Sequence, residues 1–322
     1  MSKVLIAVFL STLLLAACGV PETIAATSTS ESNQTPVIEV TVTPEPPVEV
    51  VISTEGMKDP YGVAVNSLGH IYVSDAGSKR VLVFDADGSL LAKWDKQGSG
   101  EGEFNTLGFG GLAIDANDQV FVVDNANFRV QKFDKDGNFL AQWGSEGTGD
   151  GQFVRAIGIA VDVDGNVYVT DDGNPFVQKF DNNGKFLMKF GGEGEGNGRF
   201  KHATGIAVDL QGNMYVADYE TKFVQKFAPD GTFLISWTMS ADVSIKGTPE
   251  GIAVDADGNI YVTDYDLGRV QVFDAEGNFL WALDNKLILD SLFKRPTAIA
   301  FGNGKMYVVN QSGDNISVVE FP

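Results

Sequence analysis

Few side chains of this 322-residue chain could carry nucleophilic or metal chemistry, because it holds one Cys and two His. A zinc site wants three or four N/S ligands, so Cys18, His70 and His202 do not supply one. His70 falls in a strand-joining turn. His202 is the candidate general base or ligand. Carboxylates are abundant, with 43 Asp and Glu against 23 Lys and Arg, a net charge of −20. One Asp recurs at a fixed place, as Asp75, Asp124, Asp171, Asp218 and Asp264, with Asn310 last. Arg80, Arg129 and Arg269 follow three of them by five residues, the pattern of a structural ion pair or turn cap. Phe176 and Phe223 replace the Arg in two others, whose loops add acids as Asp171-Asp172 and Asp218-Tyr219-Glu220. A further loop reads Asp264-Tyr265-Asp266. The predicted binding face is therefore acidic and aromatic: Asp171, Asp172, Asp218, Tyr219, Glu220, Asp264, Tyr265 and Asp266. Tyr61, Arg155, His202, Glu250 and Arg295 are predicted beside it. No cofactor is expected, with calcium the one cation admitted, held by Glu250 and the Asp171/Asp218/Asp264 ring.

Such loops need a rigid frame, and a repeat supplies it. Gly62-Val63-Ala64-Val65 returns at Gly111, Gly158, Gly205 and Gly251, and as Ala298-Ile299-Ala300-Phe301, in steps of 49, 47, 47, 46 and 47 residues. Each unit carries three more runs, such as Ile260–Asp264, Arg269–Asp274 and Phe279–Leu283. Short Val/Ile/Tyr/Phe runs between Gly/Asp/Asn clusters are strands, and four per ~47 residues is the period of a propeller blade. Joining segments such as Asp162-Val163-Asp164-Gly165-Asn166 and Asp274-Ala275-Glu276-Gly277-Asn278 look like calcium loops. They lack the Asp-x-Asp-x-Asp-Gly and later Glu of an EF-hand and read as hairpin turns opened by Asp and closed by a left-handed Gly. The last unit has three strands, Thr297–Phe301, Lys305–Val309 and Ile316–Phe321. Val48–Ser53 is predicted to supply the fourth and close the ring. The expected fold is an all-β, six-bladed β-propeller of four-stranded antiparallel blades.

These blades resemble the NHL-repeat family of six-bladed β-propellers over about residues 48–322. The resemblance rests on the Gly-Ile-Ala-Val-Asp, Asp-Gly-Asn-Ile-Tyr-Val-x-Asp and Arg-Val-Gln-x-Phe-Asp strings. It specifies fold more than function, since fold does not imply function. Trp94, Trp143 and Trp237, with Phe190 and Leu283 at the same repeat position, are expected between blades, and Trp281 lies off that position. The Gly/Glu-rich crossings 98–104, 144–153 and 191–200 carry acids and no Gly-Lys-Ser/Thr, which argues against a phosphate cradle. Their closing Phe is expected to plug between blades.

The amino terminus has its own signature. Lys3, the apolar run Val4–Leu15 and Leu15-Ala16-Ala17-Cys18-Gly19 resemble the signal peptide and lipobox of bacterial lipoproteins. The run is too short to span a ~30 Å hydrocarbon core. The resemblance implies that residues 1–17 are removed and that Cys18 is acylated, giving a protein exported and lipid-anchored to the cell envelope or surface of a bacterium. Gly19 in place of an inner-membrane-type Asp favours the outward surface. Residues 18–47, rich in Thr, Ser, Pro and Glu without Lys or Arg, read as a disordered stalk, and 48–322 as the propeller. Residues 51–322 carry about −16, from 38 acids against 22 bases.

Three functions follow as expectations. The first is a surface-anchored binding or scaffold module for a protein, peptide or glycan. It would be a monomer, touching the membrane only through its anchor. The second is a cation-dependent hydrolase or lyase at the channel. NHL-like amidating lyases use a zinc held by several His, from which this chain departs. Gluconolactonase/paraoxonase-like propellers hold calcium with Glu, Asn and Asp. The third, an RNA reader, is opposed by the acidic charge.

Overall fold

The computed structural model describes residues 48–52, 56–105, 110–239, 247–283 and 293–321. The expectations for residues 1–17, Cys18 and 18–47 lie outside these, as does Ser53. The first strand, β1 (Val48–Ile52), precedes six sequence repeats. The first blade is β2 (Pro60–Val65), β3 (Ile71–Asp75), β4 (Arg80–Phe84) and β5 (Leu90–Trp94). The second is β6 (Leu112–Ile114), β7 (Val120–Asp124), β8 (Arg129–Phe133) and β9 (Phe139–Trp143). The third is β10 (Ala156–Val161), β11 (Val167–Asp171), β12 (Phe176–Phe180) and β13 (Phe186–Gly191). The fourth is β14 (Ala203–Val208), β15 (Met214–Asp218), β16 (Phe223–Phe227) and β17 (Phe233–Thr238). The fifth is β18 (Pro249–Val254), β19 (Ile260–Asp264), β20 (Arg269–Phe273) and β21 (Phe279–Leu283). The sixth joins β22 (Pro296–Gly302), β23 (Lys305–Asn310) and β24 (Asn315–Glu320) to β1, in the order β1-β24-β23-β22. All pairings are antiparallel, and Val48 faces Glu320 while Ile52 faces Ile316. The ring is thus closed by the amino-terminal strand, leaving no blade with three strands. Among the described residues no helix is long and apolar enough to cross a membrane.

The Asp-Gly-Asn segments form tight turns. In one, Asp162 Oδ1 accepts the Asp164 and Asn166 N–H groups at 3.0 and 2.8 Å. The Gly165 N–H donates to the Asp162 carbonyl at 3.0 Å, with Gly165 at φ 81°. The carboxylate holds its own turn.

Blades pack through the aromatic series. Trp94 meets Phe133 of the next blade at 5.2 Å, Trp143 meets Phe180 at 6.0 Å, Phe190 meets Phe227 at 4.8 Å and Trp237 meets Phe273 at 5.9 Å. At closure Ile52 packs in one cluster with Phe84, the same junction with an aliphatic partner. The crossing residues Phe104, Phe153 and Phe200 are fully buried, wedged against Phe133, Phe180 and Phe227. Trp281 is exposed, off the series.

The glycine opening each repeat has a steric cause. A Cβ on Gly158 would lie 2.2 Å from the Thr204 carbonyl, and one on Gly205 2.3 Å from that of Glu250. Inner strands of neighbouring blades approach too closely for any side chain there. Hydroxyls latch the same contact. Thr170 Oγ1 donates to the Thr204 carbonyl at 2.6 Å and Thr297 Oγ1 to the Tyr61 carbonyl at 2.9 Å. Val63, Leu112, Ile159, Ile206, Ile252 and Ile299 help line the narrow central channel, a space of about 70 Å³.

Candidate functional site

Second-to-third-strand loops and blade crossings meet at one end of the channel. The N–H groups of Asp172, Tyr219, Tyr265 and Gln311 donate to the carbonyls of Arg155, His202, Thr248 and Arg295. Each loop is thereby paired to the crossing before its own blade. One step inward, immediately before the repeat glycines, stand Tyr61, Ile157, Thr204 and Glu250. Together these positions enclose a cavity of about 210 Å³ lined by Tyr61, Arg155, Asp172, His202, Tyr219 and Glu250, with Tyr265 and Gln311 completing one wall.

Its floor is a hydrogen bond across the channel. The Tyr61 hydroxyl of the first blade donates to Glu250 Oε1 of the fifth at 2.5 Å, and both residues are buried. Burial is the main cause that lifts the Glu250 carboxyl from 4.5 to about 7. The Tyr61 bond and Lys222 act against it, and Asp266 adds to it. Burial, then the Glu250 charge, raises the Tyr61 phenol well above 10, so Tyr61 stays a donor. Glu250 can therefore hold or release a proton near neutral pH.

The walls mix aromatic and charged groups. Tyr219 and Tyr265 meet edge-to-face at 6.1 Å. Lys222 Nζ lies 4.5 Å from the Tyr219 ring centre and the Arg295 guanidinium 5.5 Å from that of Tyr265. The Tyr265 hydroxyl donates to Gln311 Oε1 at 2.8 Å. Arg155 pairs with Asp172 Oδ2. His202 stands between carboxylates, with Nδ1 3.5 Å from Asp172 Oδ1 and Nε2 3.5 Å from Glu220 Oε2. Asp172 Oδ1 is buried without a hydrogen bond. Thr248 Oγ1 donates to Asp266 Oδ2 at 2.6 Å.

The structure brings together Arg155, Asp172, His202, Tyr219, Glu250 and Tyr265, with Glu220 and Asp266 at the rim. It does not bring Asp171, Asp218 and Asp264 to the ligand face, and this corrects the predicted ring. All three are fully buried. Asp171 accepts the N–H groups of Val154, Arg155 and Gly173 at 2.8, 2.7 and 3.1 Å. Asp218 accepts those of Lys201, Glu220 and Thr221 at 2.8, 3.0 and 2.9 Å. Asp264 accepts the Thr248 N–H and the Arg269 Nε–H, both at 3.0 Å. Asp75 and Asp124 pair with Arg80 and Arg129 at 2.7 and 2.9 Å. These carboxylates fasten crossings to blades, and so position Arg155, His202 and Thr248 without lining the mouth.

A further correction concerns the cation. The calcium set of Glu250 with Asp171, Asp218 and Asp264 does not assemble. Among the described residues no three His, Cys, Asp or Glu side chains converge to hold a metal ion. On this face Arg155, Lys222 and Arg295 interleave with Asp172, Glu220, Glu250 and Asp266. Lys222, Thr248, Thr204 and Gln311 were not singled out from sequence. Gln311 could have been found by aligning the residue after the recurrent Asp/Asn, and Thr204 and Thr248 by aligning those one and three places before the repeat glycine.

Comparison with known proteins agrees with this architecture. A family profile described as NHL repeat matches residues 58–84 and 247–273, and one described as 6-bladed beta-propeller matches residues 111–179. No curated protein matches the chain. Among solved structures, virginiamycin B lyase from Staphylococcus aureus is similar at 13% identity, covering 82% of this chain and 81% of that one, with a TM-score of 0.58. A gluconolactonase from Xanthomonas campestris is similar at 17% identity over 86% and 90% of the two chains, with a TM-score of 0.62. A protein of unknown function from Bacteroides thetaiotaomicron is similar at 17% identity over 85% and 72%, with a TM-score of 0.63. At these identities the likeness is one of fold.

Proposed function

We propose that this six-bladed propeller with NHL repeats is a binding module, exported and held on the bacterial envelope through an acylated Cys18. Its ligand is a protein, peptide or glycan whose polar end enters the channel mouth. The observation that carries this reading is the floored cavity. Tyrosine rings and hydrogen-bonding groups from five blades surround about 210 Å³, above a Tyr61–Glu250 bond that closes the way down. Preformed concave sites with a few placed polar groups are where small ligand moieties bind. The Asp172 oxygen without a hydrogen bond is an acceptor that a ligand donor could satisfy. The test is a peptide and glycan array probed with the whole protein and with Tyr219→Ala and Asp172→Asn. Loss of the same ligands in both variants supports the mouth, and unchanged binding in both removes it.

A second reading, a hydrolase or lyase, is favoured by one observation, the Glu250 carboxyl titrating at about 7 beside a tyrosine donor. A general acid–base group works best with such a value. Lactone hydrolysis by the whole protein, abolished in Glu250→Gln, would put this reading first. The same assay with and without millimolar calcium shows whether a cation is needed. The anchor is tested separately, by the mass of the mature amino terminus and by release of Cys18→Ala from the envelope.

A further inference from the structure

The propeller has a second departure from its repeat, at the end opposite the mouth. The third residue of the outer strand is Ala92, Ala141, Met188 and Ile235 in the first four blades and Trp281 in the fifth. Phe139, Phe186 and Phe233 open the outer strands of blades two to four half-buried, whereas Phe279 is 49% exposed. Trp281 and Phe321 are 37% exposed each, whereas the exposure of Leu280 only repeats that of Leu91, Leu140, Leu187 and Leu234 on the opposite face of the outer strands. Trp281 and Phe321 meet edge-to-face at 6.0 Å, which joins the fifth blade to the sixth. Three aromatic side chains exposed at one seam between two blades exceed the scattered single residues normal for a surface.

The start of β1 lies near this patch. Phe321 follows Glu320, and Glu320 pairs with Val48, the first residue of β1. The amino-terminal 47 residues therefore join the propeller beside the patch. Phe279 directly follows the β20–β21 turn, and Glu320 also pairs with Lys305. Both lie at the end of the blades away from the second-to-third-strand loops that build the mouth. A domain charge of about −16, from 38 acids against 22 bases, opposes self-association and anionic surfaces. Trp and Phe at a water–apolar boundary suit the headgroup level of a bilayer.

We propose that Phe279, Trp281 and Phe321 form a membrane-contact patch that seats on a zwitterionic bilayer, holding the channel mouth away from it. The proposal rests on the lipid anchor at Cys18 for its proximity and is tested apart from it. The stalk alone does not enforce contact, since about 30 extended residues could reach roughly 100 Å.

The experiment uses the mature acylated protein in phosphatidylcholine vesicles whose acyl chains carry bromine, reading tryptophan emission. Part of the emission is expected to be quenched. The quenching should be lost in Trp281→Ser and weakened in Phe321→Ser, which keeps the reporter. The melting temperature should stay within a few degrees of the wild type. Protein that floats with the vesicles yet shows no quenching overturns the patch and leaves the anchor standing. If Cys18 proves unmodified by mass, the same measurement on the unmodified chain decides, with quenching supporting the patch and its absence overturning it. A dimer in solution that Trp281→Ser converts to monomer would assign the patch to a second copy of the chain and overturn the proposal.

Discussion

Replacing Glu250 with Gln should make the protein more stable above neutral pH, although it alters a buried group of the candidate site. The folded carboxyl titrates at about 7 against 4.5 for an ordinary glutamate. The folded value is the higher one. Its contribution to stability is therefore fully present below about 4.5 and is lost as pH rises through about 7, because ionisation then has to occur in a buried site. At about 1.4 kcal/mol per tenfold change, the loss by pH 8 is about 3 kcal/mol. Glutamine does not ionise, and its amide oxygen can still accept the Tyr61 hydroxyl. The two proteins should be close at pH 5 and diverge steadily to pH 8. For a domain of this size the gap at pH 8 is roughly 5 to 10 °C in melting temperature. The assay is thermal unfolding of both proteins in EDTA from pH 5 to 8. Other titrating groups cancel in the difference. A constant gap, or a Glu250→Gln protein that falls further behind as pH rises, would refute the assignment of a strained buried carboxylate at the channel floor.

Other perturbations test the frame and its link to the site. Gly184→Ala should cost roughly 2–4 kcal/mol, because Gly184 has φ 82° and its Cβ would lie 2.5 Å from the Trp143 ring. Gly258→Ala, at φ 85° with nothing within 4 Å, should cost only about 1 kcal/mol, and chemical denaturation of the pair separates backbone strain from packing. Ile52→Ala should cost roughly 2–4 kcal/mol and lower one transition of the whole propeller; a separate early transition with the remainder unmoved would contradict closure through β1. Asp171→Ala leaves the Val154 and Arg155 N–H groups without their acceptor, at about 1–3 kcal/mol each. It should also weaken mouth binding without touching ligand, whereas unchanged binding would show that Arg155 is placed by something else.

Much of the fold could be read from the chain because a propeller repeats its reasons. Short strands, Asp-Gly-Asn turns and an interblade aromatic each recur, and a final unit one strand short called for Val48–Ser53, of which Val48–Ile52 forms the strand. What could not be read was distance between blades. The repeat glycine marks each unit in sequence, yet its cause is a neighbouring carbonyl 2.2–2.5 Å from any Cβ at Gly158, Gly205 and Gly251. The recurrent Asp shows the same limit. Its place at a strand end was legible, but the direction of its carboxylate depends on where the preceding crossing lies in space. Every blade that carries the Asp turns this carboxylate toward a crossing N–H group, and in the third and fourth blades, where Phe176 and Phe223 replace the Arg, backbone N–H groups are its main partners. Arg155 and Arg295 could be placed beside the mouth from their position before the first strand, but Lys222, at the far end of its loop, could not.

The positions where the repeat breaks explain why the mouth is one-sided. The residue after the recurrent Asp or Asn is Ala76 and Asn125 in the first two blades, then Asp172, Tyr219, Tyr265 and Gln311. Asn125 is held within the frame, donating to the Ala156 carbonyl at 2.7 Å. The residue before the repeat glycine is Gly110 in the second blade and Glu250 in the fifth. A scaffold that repeats a small residue and a buried Asp or Asn at its junctions leaves only a few inner positions free to vary. In this chain the large and polar choices at those positions gather over blades three to six and at Tyr61 of the first. Trp281 is a like departure in the outer strand of the fifth blade, away from the mouth. Trp281→Ser should therefore leave any binding at the mouth unchanged, which the peptide and glycan array checks.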